Sequence, residues 1–174
     1  IVKNIVYVRN LPRRNGWDRM RASDADVGKA KKEKRRIVMA DIIIAAHGTL
    51  AEGLKNAAGL IVGEPGNLKC MSLCEGDNIE DFIQDMKDTV QTAEHDVLIL
   101  TDLLGASPYN GAAYTIRGCK DQRVVCVSGV NLSMVIEAVL KREEKAIEEL
   151  AEDLAETGRE GIQKLSRNME RSER

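Results

Sequence analysis

Two histidines stand in this 174-residue chain, and one of them is placed for chemistry. His47 follows the apolar run Asp41-Ile-Ile-Ile-Ala-Ala and precedes Gly48. An imidazole at the end of a buried strand faces whatever binds at the sheet's edge, although it can equally serve only to hydrogen-bond a loop. His95, between Glu94 and Asp96, reads as a surface residue. Asp102 ends a second apolar run, Asp96-Val-Leu-Ile-Leu-Thr, much as His47 ends the first. A carboxylate that accepts a proton from one ring nitrogen fixes the tautomer, leaves the other nitrogen as a nucleophile, and stabilises the cation formed when the ring is phosphorylated. The bland alternative is an aspartate that caps a turn.

The segment after Asp102 fits an anion. In Gly105-Ala106-Ser107-Pro108, Ser107 suits an N-cap, Pro108 suits the first helical position, and Gly105 lets the backbone approach a ligand. A helix N-terminus offers free N–H groups, so a phosphoryl group on His47 could rest against Gly105, Ala106 and Ser107. No G-x-x-x-x-G-K-[ST] loop and no G-x-G-x-x-G after a strand accompanies it. No second acidic residue is obviously placed for magnesium. A phosphate site with a histidine nucleophile and no nucleotide loop points to a phosphohistidine relay that needs neither metal nor cofactor.

The elements that must position these residues alternate regularly. Strands are expected at Asp41–His47, Leu68–Cys74, Asp96–Asp102 and Arg123–Val130. The first and third are apolar without alternation, as in strands buried on both faces. Helices are expected at Leu50–Val62, Asn78–Val90, Pro108–Ile116 (short) and Asn131–Leu140, from apolar residues at helical spacing. A charged helical tail runs Glu143–Leu165, with Ile147, Leu150, Leu154, Ile162 and Leu165 as its stripe and Gly158 as a point of interruption. This rhythm predicts a single α/β domain: a doubly wound, mostly parallel sheet with helices on both faces. In such sheets chemistry gathers at the carboxyl ends of the strands, and strands one and three are often neighbours.

Composition sharpens the picture. Aromatics make up 3% of the chain, so the core must be aliphatic. No apolar run approaches the roughly 20 residues of a membrane helix, and no secretory signal is apparent. Cys70, Cys74, Cys119 and Cys126 form no C-x-x-C pair and read as reduced core thiols of a cytoplasmic protein. Residues 1–38 carry 12 Lys and Arg against 4 Asp and Glu, a net charge of +8; the totals of 26 and 28 leave 14 and 24 elsewhere, a net of −10. A body so acidic does not suit nucleic acid. The first segment lacks periodicity. Arg35-Arg36-Ile37-Val38-Met39 could be encoded by AGG-AGG, two codons and ATG, a ribosome-binding site at normal distance from a start codon. Residues 1–38 are therefore expected to be translated upstream DNA or a disordered extension, and CGN codons at Arg35 and Arg36 would overturn the first of these.

His47-Gly48, the Gly76-Asp77-Asn78 turn, Thr101-Asp102-Leu-Leu-Gly-Ala-Ser-Pro-Tyr-Asn110, Gly129-Val-Asn-Leu-Ser-Met134 and Glu156-Thr-Gly-Arg-Glu-Gly161 together resemble the mannose/fructose/sorbose-class IIA components of the bacterial sugar phosphotransferase system (PTS). The resemblance covers Met39 to about Leu165, with Asp102–Asn110 its most specific part. It implies a IIA domain over 39–168, followed by a tail at 169–174. It implies that His47 receives a phosphoryl group from phospho-HPr and hands it to a histidine of a IIB component for sugar uptake. Asp102 matches the carboxylate that orients the ring, and Ser107 the serine beside the phosphate. It further implies a cytoplasmic homodimer that meets the membrane only through the IIC/IID transporter. Where family members often carry aromatics, the turn here has Leu103, Leu104 and Ala106. Four alternatives stand beside this one. They are a phosphodonor subunit of a dihydroxyacetone kinase, a receiver-like domain phosphorylated on Asp102, a hydrolase using Ser107, and a binding module working through the basic arm.

Overall fold

The structure is a computed structural model that describes residues 39–120 and 123–165. Residues 1–38 and the tail 169–174 lie outside the described residues. The described chain runs β1 (Ala40–His47), α1 (Leu50–Val62), β2 (Leu68–Leu73), α2 (Ile79–Gln91), β3 (Asp96–Thr101), α3 (Ser107–Gly118), β4 (Val124–Ser128), α4 (Leu132–Lys141) and α5 (Ile147–Glu160). The four strands form one parallel sheet in the order β2-β1-β3-β4. This is the α/β architecture expected from the alternation of apolar runs, and β1 and β3 are indeed neighbours.

The order explains the layers. From β1 the chain steps outward to β2, then returns across β1 to β3 and on to β4. Right-handed crossovers then place α1 on one face and α2 and α3 on the other. Ile42, Ile44, Leu98 and Leu100 point into a core with Ala58, Val135, Ala138, Ile147, Leu150 and Leu154, so α4 and α5 share the face of α1. Ile43, Ala45, Val97 and Ile99 point the opposite way, against Phe82, Met86, Val90 and Ala112 of α2 and α3. Successive residues of β1 and β3 thus enter two different cores, and both strands must be apolar throughout.

Three local expectations are corrected. The tail helix starts at Ile147 and ends at Glu160, so Ile162 and Leu165 lie beyond it and are exposed, outside the buried stripe. Gly158 does not interrupt α5. It is buried where α5 crosses α4, and a Cβ there would lie 2.7 Å from the Met134 sulfur, so glycine serves close packing. Finally, α3 is a full twelve-residue helix. Its N-cap is Ala106, whose carbonyl accepts from the Asn110 amide at 2.9 Å. Ser107 and Pro108 therefore occupy the first and second helical positions, one residue further in than their cap chemistry suggested. Proline is tolerated there because the first-turn amides have no partner within the helix.

Candidate active site

The strand order makes β1 and β3 the pair at which the winding reverses. Their register aligns Ala45 with Thr101, so His47 and Asp102 leave adjoining strands at nearly the same level. The helices that follow these two strands depart to opposite faces, which opens a crevice at this carboxyl edge. His47 and Asp102 therefore meet because of topology, though 55 positions separate them in sequence.

Asp102 is engaged at both oxygens. Its Oδ2 accepts from the His47 main-chain N–H at 2.9 Å and lies 2.8 Å from His47 Nδ1. Its Oδ1 accepts from the Leu103 amide at 2.8 Å. Burial alone pushes the Asp102 carboxyl up. The hydrogen bonds from the His47 amide and ring, the charge of the imidazolium and the Leu103 amide together outweigh this and hold it below the usual carboxylate range. An ionised carboxylate only accepts, so the proton between the two groups sits on Nδ1 and Nε2 keeps its lone pair. The Asp102 side chain is 13% exposed and the His47 side chain 45%, so the carboxylate is sheltered and the ring faces outward.

The turn after Asp102 supplies donors. The Ala106 amide donates to the Leu103 carbonyl at 3.2 Å, and Gly105, with φ +78°, takes the third position that a type II turn requires. Among the described residues, no protein acceptor meets the amides of Leu104, Gly105, Ser107 or Tyr109. The Ala106 amide, expected to face an anion, is instead spent on the turn. Pro108 has no amide, so the N-terminus of α3 offers Ser107 and Tyr109 alone in its first three positions. Leu103 and Leu104 are 62% and 67% exposed, and Leu50, which opens α1 just after His47, is 44% exposed.

Other residues singled out by sequence fall elsewhere. His95 lies at the opposite edge of the sheet, its Nδ1 3.4 Å from Asp41, beside a cavity of about 340 Å³ that Asn67 and Lys69 also line. Gly76-Asp77-Asn78 shapes the entry to α2: Asp77 accepts from the Cys74 amide, and Asn78 caps the helix through the Glu80 amide. Asn131 caps α4 through the Met134 amide and donates to the Gly158 carbonyl at 3.1 Å, which ties the Gly129–Met134 and Glu156–Gly161 segments together. All four cysteines are free, and Cys74 is exposed at the end of β2, not a core thiol. Sequence reasoning passed over the Leu103 amide, which no side-chain type announces. It also left without a role Asn110, whose Nδ2 donates to the Gly105 carbonyl at 3.0 Å. A polar side chain one turn into a helix that follows a glycine turn was the available signal. Among the described residues, no group of three or more His, Cys, Asp or Glu side chains could hold a metal ion, and no helix is long and apolar enough to cross a membrane.

Comparison with known proteins bears on this geometry. Residues 41–155 match the family model EIIA-man, described as the PTS system fructose IIA component. The chain is 35% identical over 137 residues to the fructose-specific EIIA component of Bacillus subtilis, covering 76% of this chain and 91% of that protein. It is 34% identical over 129 residues to the mannose-specific EIIAB component of Escherichia coli K12, covering 71% of this chain but 39% of the relative. Among solved structures, an EIIA component from Streptococcus agalactiae superimposes with a TM-score of 0.69 at 31% identity, over 72% of this chain and 97% of that one. A mannose/sorbose-specific IIA subunit from Enterococcus faecalis gives 0.66 at 27% identity, over 74% and 96%.

Proposed function

The chain belongs to the EIIA-man family of PTS IIA components, which places it in phosphotransfer for sugar uptake, and from that premise we propose that it carries a phosphoryl group on Nε2 of His47. The observation that carries this reading is the 2.8 Å contact between His47 Nδ1 and Asp102 Oδ2, which leaves Nε2 as the open nitrogen of an exposed ring.

In the proposed reaction phospho-HPr is the donor. The Nε2 lone pair of His47 attacks phosphorus in line. The new N–P bond forms as the N–P bond to the donor histidine breaks, and that histidine leaves with the electron pair. The Nδ1 proton stays between His47 and Asp102, whose charge offsets the imidazolium character of the phosphorylated ring. The second transfer, to a histidine of a IIB component, repeats the step in reverse. Such a reaction needs positioning and electrostatic stabilisation more than covalent help. The free amides of Leu104, Gly105, Ser107 and Tyr109, together with the N-terminus of α3, supply that stabilisation, and the Ser107 hydroxyl adds a donor. Exposed Leu50, Leu103 and Leu104 give the partners an apolar surface. A homodimer working in the cytoplasm, reaching the membrane only through its transporter partners, completes the reading.

The competing readings fit less well. A receiver-like Asp102 would need a free oxygen, and both of its oxygens already accept hydrogen bonds. A hydrolase using Ser107 would draw on the next amide for its oxyanion, and Pro108 has none.

Intact-mass measurement after mixing the protein with phosphoenolpyruvate, enzyme I and HPr tests the reading. One added phosphoryl group, lost in acid and absent from His47→Ala, is expected. No added mass with active upstream proteins would overturn it.

A further inference from the structure

One peptide unit beside the site is held at both ends. The amide of Ala106 donates back to the Leu103 carbonyl at 3.2 Å, and the carbonyl of Gly105, the other end of the same peptide, accepts from Asn110 Nδ2 at 3.0 Å. Asn110 is exposed and its own amide already bonds the Ala106 carbonyl, so its side chain is not needed to start α3. What it restrains is the turn. A glycine at φ +78° can move to other conformations without steric cost, because it has no Cβ. Rotating the 105–106 peptide would break both bonds, set the Gly105 carbonyl against the Leu103 carbonyl, and carry the neighbouring Gly105 and Ser107 amides out of place. The turn thus needs a lock that its own sequence does not provide.

We propose that Asn110 is a positioning residue for phosphoryl transfer. By pinning the Gly105 carbonyl it keeps the turn from Leu103 to Ser107 in the conformation that presents the open amides of Leu104, Gly105 and Ser107 to the phosphoryl group. The proposal rests on the reading of His47 as the phosphoryl carrier. It assigns Asn110 no contact with the reacting atoms and no part in the His47–Asp102 pair.

The test compares wild type, Asn110→Ala and Asn110→Asp in single-turnover transfer from phospho-HPr, over a range of donor concentrations. Asn110→Ala should lower the rate at saturating donor on the order of 10-fold, while the half-saturating donor concentration stays within about twofold, because what is lost acts on the reacting group and not on docking. Asn110→Asp has the same shape but cannot donate, and it adds a negative charge beside an anion site, so it should be slower still. The NMR signals of the His47 ring nitrogens and of the Nδ1 proton should be unchanged in Asn110→Ala, since the Asp102 contacts are untouched. Hydrogen exchange at the Ala106 amide should quicken in both variants as the turn loosens. Both variants transferring within about twofold of wild type would overturn the proposal. So would displaced His47 ring signals in Asn110→Ala, which would mean that the His47–Asp102 pair itself had loosened. If wild type itself takes up no phosphoryl group, the carrier reading falls, and this proposal falls with it.

Discussion

His47 and Asp102 are joined twice through one atom: Asp102 Oδ2 accepts the His47 main-chain N–H at 2.9 Å and faces the ring Nδ1 of the same residue at 2.8 Å. The carboxylate therefore grips both the backbone and the imidazole, and Leu103 holds its other oxygen. Ring rotation and the choice of tautomer are settled before any partner arrives. Asp102→Asn keeps the size but can present an N–H to Nδ1, which would move the ring proton to Nε2 and remove the nucleophile. Transfer from phospho-HPr should slow on the order of 10²-fold. Stopped-time intact-mass measurement checks it, and an unimpaired rate would show that Asp102 has no part in the reaction.

The same contacts link Asp102 to stability. Its carboxyl ionises at lower pH in the folded protein than its ordinary value of 3.8. Its contribution is therefore fully present above that ordinary value, and is lost as pH falls from there through the lowered one. Urea unfolding between pH 7 and pH 3 should show wild type losing stability more steeply than Asp102→Asn at the acid end. Parallel curves for the two proteins would contradict this.

Thiol chemistry should be uneven. Burial pushes the Cys126 thiol up to about 11, with the Thr101 hydroxyl drawing it back a little. Burial and then the charge of Glu52 raise Cys70 as well. Cys74 is exposed. Timed alkylation at pH 8 with peptide mapping should find Cys74 modified first, and Cys126 slower on the order of 10²-fold, because only the thiolate reacts. Equal rates at the two positions would be inconsistent with the raised thiol of half-buried Cys126.

Gly158 supports the crossing of α4 and α5. An alanine methyl group would meet Met134 Sδ at 2.7 Å, Met134 Cγ at 3.0 Å and Asn131 Nδ2 at 3.3 Å, and Met134 is itself buried with little space to move. Alanine favours a helix over glycine by about 1 kcal/mol, whereas overpacking costs roughly 1–3 kcal/mol. The expected net is a loss of about 1 kcal/mol, read by thermal or urea unfolding and reduced when Met134 is shortened in the same protein. A stabilised Gly158→Ala would mean that the two helices separate easily.

Much of this was legible in residue order. The short unalternating runs before His47 and Asp102 read as strands covered on both sides, and the helical stripes between them point to a parallel sheet. Gly105, Ser107 and Pro108 marked a turn into a helix because their backbone chemistry is local. The tail is less legible. Ile162 and Leu165 continue the period of α5 but not its burial, since a repeat of apolar residues does not say where the neighbouring surface ends. Gly158 looked like a breaker for the same reason: its propensity is a property of the residue, and its use is a property of the helix packed against it.

Residue order alone places the four strands, most of the helices with their apolar faces, and the groups able to carry a phosphoryl group, because each depends on residues within a few positions of one another. Packing across elements sets the register of β1 beside β3, so that one carboxylate reaches both the amide and the ring of His47. It also decides that Asn110 turns back onto Gly105, and that the Ala106 amide closes a turn while its neighbours stay open. Those are distances between atoms on different elements or across a turn, and they are fixed only once the sheet order and the packing of two cores have been satisfied together.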